Sequence, residues 1–163
     1  FFKRIESAKG QDKKRLVDSM IREISKHASC EERYVYPLFR KWLQNGSIIA
    51  DRNITDDQVN KELMELLERM QPERDGELYD LTVKKFIMVE SEHLKQEEVW
   101  IDELRTCLSN NELSDLYDTL VEAKLNAPLH PHSWAPSKPS TGANILHPLA
   151  GKLDRFVERV TGQ

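Results

Sequence analysis

Glycine is scarce in this 163-residue chain, with six in all, and cysteine is scarcer, with two. So few glycines disfavour a turn-dense β fold and favour helices. Cys30 and Cys107 are isolated and make no disulfide framework. They read as reduced thiols in a reducing compartment such as the cytoplasm, the alternative being a single bridge in a secreted protein. No apolar run approaches the roughly 18–20 residues that span a bilayer, and no signal-peptide pattern opens the chain. A membrane role is therefore not expected. The formal net charge is −4 and no basic stripe stands out, which leaves nucleic-acid binding by phosphate neutralisation without support. A Ser-His-Asp set, a phosphate loop and a nucleotide fingerprint are all missing.

What is present is helical periodicity. Charged residues make up 32% and hydrophobic residues 39%, which suits one all-α domain with much exposed helix surface. Phe1-Phe2-Lys3-Arg4-Ile5 looks like the last turns of an amphipathic helix with no cap ahead of it, so the start of helix 1 is expected upstream. A long second helix is predicted over 11–43, with Val17, Met20, Ile21, Ile24, Ala28, Tyr34, Val35 and Leu38 spaced by three and four. Pro37 should kink or interrupt it, and Asn45-Gly46 should stop it. A loop is predicted over 47–54. Thr55 and Gln58 then resemble a capping box opening helix 3, with Val59, Leu63, Leu66, Leu67 and Met70 inward. Pro72 and Asp75-Gly76 mark a turn. Helix 4, over 77–108, carries Leu78, Phe86, Val89, Trp100, Ile101, Leu104 and Leu108, and helix 5, over 112–125, carries Leu113, Leu116, Leu120 and Val121. Five of the seven prolines fall between Ala127 and Pro148. The chain thus divides into a helical bundle at 1–126 and, at 127–163, a Pro-rich arm packed on it, which ends in a short helix at about 149–160.

One feature repeats. His27-Ala28-Ser29-Cys30-Glu31-Glu32 and His93-Leu94-Lys95-Gln96-Glu97-Glu98 share the pattern H-x-x-x-E-E. On a helix the His and the first Glu lie one turn apart on one face. His27 continues the stripe from Ile24, and His93 continues it from Phe86 and Val89, so both pairs point into the apolar interior. Buried carboxylates and imidazoles meeting in a helical core need a compensating charge, which a cation supplies. Mixed imidazole and carboxylate donors suit iron, manganese or zinc. Glu32 and Glu98 would stand beside the ligands, and Tyr34 lies a turn beyond Glu31. His130, His132 and His147, in the Pro-rich arm, read as packing or solvent contacts.

The two motifs, the run HASCEERYVYPLFR and the ending AKLNAPLHPHSWAPSKPS resemble the hemerythrin-like, or HHE cation-binding, family. The resemblance implies an up-and-down four-helix bundle holding non-haem iron, mononuclear or dinuclear. It implies an oxygen-, redox- or iron-linked role, with dioxygen or peroxide as a small ligand. By position it makes His27, Glu31, His93 and Glu97 the metal ligands. The family's helix-1 histidine would fall ahead of Phe1, and Asn60 would stand where its helix-3 histidine is expected, leaving a reduced ligand set. Two other functions fit the same residues. One is a metal-dependent enzyme acting on oxygen, peroxide or a small organic substrate. The other is a metal-free helical scaffold that works through protein contacts.

Overall fold

The structure is a computed structural model, and it describes residues 2–132. Among these residues every regular element is helical. They are α1 (Phe2–Ser7), α2 (Gly10–Cys30), a π-helical turn (Glu31–Val35), α3 (Tyr36–Trp42), α4 (Gly46–Arg69), α5 (Pro72–Cys107) and α6 (Asn110–Leu125). No described helix is long and apolar enough to cross a membrane. The predicted short helix at 149–160 and most of the Pro-rich arm lie outside the described residues.

The predicted second helix is present, but it is broken just ahead of Pro37. Proline has no N–H to continue the helical ladder. The chain absorbs this in the π turn, where the Tyr36 N–H donates to the Glu31 carbonyl five residues back. At the other end of α3, Asn45 takes a left-handed conformation (φ 59°) and the Gly46 N–H donates to the Leu43 carbonyl at 3.0 Å. A Cβ at residue 46 would fall 1.8 Å from the Phe39 carbonyl oxygen, so only glycine fits this corner.

Because the reversal is complete at Gly46, the predicted loop at 47–54 is helix. Thr55 does not cap anything: it lies inside α4, and its hydroxyl donates to the Asp51 carbonyl at 2.9 Å. The phase of the stripe changes with it. Val59 and Leu66, expected inward, are 42% and 47% exposed, while Ile49, Ala50, Asn53, Asp57, Asn60, Met64 and Leu67 are buried. Leu78 and Val121 are likewise exposed. The turn expected at 72–76 appears as a break inside α5, where Gly76 (φ 49°, ψ −121°) adopts a conformation closed to other residues. Helix α6 starts earlier than expected, in a capping box in which Ser109 and Glu112 bond reciprocally. Cys30 and Cys107 are free thiols.

Short connections reverse the chain ahead of α4 and again ahead of α5, and α2, α4 and α5 pack against one another. Two apolar clusters form between them. One gathers Val17, Met20, Ile21, Met64, Leu67, Val83 and Phe86 with Ile5 of α1. The other gathers Val35, Tyr36, Phe39, Ile49, Ala50, Ile101 and Leu104 with Leu116 and Leu120 of α6. α4, α5 and the run of α2 continued through the π turn into α3 each contribute to both clusters, and each turns polar in between: His27 and Glu31, Asn53 to Lys61, and Glu90 to Glu97. The polar positions meet in one layer across the core.

Candidate functional site

Four of the expected residues converge in that layer. The His27 Nε2 lies 2.9 Å from Glu31 Oε1 and 3.5 Å from Glu97 Oε2, joining the two H-x-x-x-E motifs across α2 and α5. His93 does not complete this triad. Its Nε2 lies 3.3 Å from Asp57 Oδ1 of α4. The donors therefore fall into two groups, His27–Glu31–Glu97 and Glu31–Asp57–His93, each with its donor atoms within 4.8 Å of one another, and Glu31 belongs to both.

Glu31 sits in the π turn. The extra residue in that turn advances the helix face by one position, so the next aromatic over Glu31 is Tyr36 rather than Tyr34. The Tyr36 hydroxyl donates to Asp57 Oδ2 at 2.8 Å, while Tyr34 is partly buried against the apolar cluster that contains Tyr36. Asn60 is buried, as its alignment with the layer requires, and its amide donates to Glu90 Oε2 at 2.8 Å. Glu32 pairs with Lys61 at 2.5 Å, fastening the π turn to α4. Glu98 is exposed, on the outer side of α5. His130 meets Glu68 near the end of α4 at 2.6 Å. His132 is in neither donor group, and His147 lies outside the described residues.

The electrostatics of the layer are unbalanced. Glu31, Asp57, Glu90 and Glu97 are all buried, with only two imidazoles among them. Burial, and then the charge of Glu97, push the Glu31 carboxyl well above its ordinary range. Burial also raises Asp57, against the bond from Tyr36, and brings Glu90 to about 7. Glu97 is held low despite its burial, by the close approach of the Glu31 carboxyl and of His27. Burial alone would lower His27, but Glu97 and its neighbouring carboxylates raise it; His93, with less compensation, is lowered. The metal-free layer must hold protons on carboxyls that would otherwise be charged.

Several lone pairs also lack partners. Both Glu31 oxygens, Glu97 Oε1 and His93 Nε2 are buried and make no well-formed hydrogen bond. Ligand atoms sit about 2.0–2.2 Å from a first-row metal ion, so neighbouring donors on one ion lie about 3–3.5 Å apart. The spacings of 2.9, 3.5 and 3.3 Å fall at or close to that range. A cation would neutralise the excess charge and occupy the unused lone pairs together, so the residues present fit a metal.

Asp57, Glu90 and Tyr36 were missed in the sequence. Glu90 had a signal, standing three residues before His93 on the same helical face. Asp57 and Tyr36 had none that could be read without the break in the helix.

No protein-family model matches the chain, and no solved structure matches it. Among curated proteins it is similar to an uncharacterised hemerythrin-like protein of Schizosaccharomyces pombe, with 28% identity over 163 residues, covering 97% of this chain and 79% of the relative.

Proposed function

We propose that the chain is a hemerythrin-like four-helix-bundle protein that binds non-haem metal, iron in the first instance, for an oxygen-, redox- or iron-linked role. His27, Glu31, His93 and Glu97 are the ligands of this reading. The observation that carries it is the buried layer in which His27, Glu31 and Glu97 bring donor atoms within 4.8 Å of one another, and Glu31 meets His93 in a second such group. Similarity to a hemerythrin-like protein supports it independently. The free thiols support a reducing compartment such as the cytoplasm.

Iron held here would supply a redox-active Lewis acid able to take a small ligand such as dioxygen or peroxide. The chain's own contribution is to bury the donors, exclude water by the apolar clusters on either side, and fix Glu31 through the π turn. The test is metal analysis of protein expressed with added iron. Bound iron is expected in the parent chain and a large loss in His27→Ala and His93→Ala; no more than trace metal in the parent chain would overturn the reading.

A further inference from the structure

We propose that the outer face of α5 docks a second copy of this chain, laid antiparallel across it about a two-fold axis beside Met88. The proposal is independent of the metal reading. Helix α5 buries Tyr79, Val83, Phe86, His93 and Glu97 on one side. On the opposite side it presents Leu78, Leu81, Met88 and Val99, each between 53% and 66% exposed. Their spacings of three, seven and eleven residues are close to one, two and three helical turns, so the four share one stripe. Single exposed apolar residues are ordinary on a protein surface; a stripe of four on one helix marks a contact.

The order of residues along the stripe says what covers it. Leu78 and Val99 lie equally far from the midpoint between Met88 and Val89, and so do Lys85 and Glu92. A two-fold contact sets each residue of one chain opposite the residue equally far beyond the midpoint in the other. Leu78 then meets Val99 of the second copy, Met88 meets Val89, and Lys85 meets Glu92, each contact occurring twice. Lys85 has Leu81 and Val89 one turn to either side and makes no ion pair among the described residues, so its charge is unused within the chain. Glu92 is exposed, and its own-helix lysine, Lys95, stands 3.9 Å away. A parallel copy in register would set Lys85 against Lys85 and Glu92 against Glu92, so charge selects the antiparallel arrangement. A contact confined to one helix face is small, and the pair is therefore reversible and concentration-dependent.

Sedimentation equilibrium of the full chain, from about 10 μM to about 1 mM, reads the association directly. The average mass of the parent is expected to rise from one chain toward two. Met88→Glu puts two carboxylates at the axis and is expected to hold the one-chain mass throughout, with unchanged circular dichroism because residue 88 is exposed. Lys85→Glu and Glu92→Lys each bring like charges together and are expected to weaken the pair by roughly tenfold or more, while the two combined restore it to near the parent. This exchange tests the contact even should Met88→Glu misfold. A one-chain mass for the parent over the whole range overturns the proposal and leaves the face to residues 133–163 or to another protein. Association unaffected by Met88→Glu overturns it by placing the contact elsewhere. A combined exchange that associates no better than the single ones overturns it by refuting the antiparallel register.

Discussion

Glu90 isolates the cost of building a charged layer into an apolar core. It is fully buried, and its pKa is raised from the usual 4.5 to about 7. An acid whose folded pKa is raised contributes stability that is fully present below its unfolded pKa and is lost as pH rises through the folded one. In the metal-free protein this group therefore weakens the fold between about pH 4.5 and 7, by about 3 kcal/mol in total. Glu90→Gln keeps the shape and an acceptor for Asn60 while removing the charge. Urea unfolding of the metal-free chains should find the variant more stable than the parent by up to about 3 kcal/mol near pH 8, with the gap closing toward about pH 4.5. An equal gap at both pH values would show that Glu90 is not the group that titrates.

At the scale of the element, the π turn is the feature that aims the site. It is an α-helix with one residue inserted, so removing one residue should restore the regular ladder while leaving α2 and α3 in their present relation. Arg33 is exposed and lies within the turn, which makes it the residue to delete. The expected result is a chain with nearly unchanged helical circular dichroism and a metal affinity lowered by about tenfold or more, since Glu31 and Tyr36 lose their common orientation. Unaltered affinity would mean that the turn is incidental. The turn also explains what could be read in advance. Within α2 and within α5 the period is regular, and His27, Glu31, His93 and Glu97 could be placed on inward stripes from spacing alone. Across the π turn the period shifts by one, so a regular helix presents Tyr34 where this chain presents Tyr36. In α4 the inward face is mostly polar at Asn53, Asp57, Asn60 and Lys61. Hydrophobicity alone therefore points to Val59 and Leu66, which are exposed, and misses the start of α4 at Gly46.

At the scale of the whole molecule, these misreadings have a common cause. Apolar periodicity finds the two cores on either side of the layer, and it fails where the chain departs from apolar burial to make a site. The all-helical class, the Asn45-Gly46 corner and the break near Pro37 were legible because they depend on local chemistry. The level at which three helices turn polar together depends on their mutual register, which no single helix reveals. That layer also predicts a global response. An ion that binds only the folded chain stabilises it by about 3 kcal/mol at a hundredfold excess over its Kd. For a chain of this size, that corresponds to a rise in melting temperature of about 5–10 °C. Protons compete for the raised carboxyls of Glu31 and Asp57, so the rise should shrink as pH falls. Differential scanning fluorimetry with and without metal, over a pH series, measures both; a shift that grew toward acid pH would contradict the donor set.

Glu31 belongs to both donor groups. If each group holds an ion, its single charge can be divided between them but not doubled. The first ion to arrive leaves less attraction for the second, and loading runs in two unequal steps. When metal is limiting, half-filled chains then outnumber the mixture of empty and full ones that an all-or-none site would give. Scarcity and sufficiency would be distinguished by three populations of one protein instead of two.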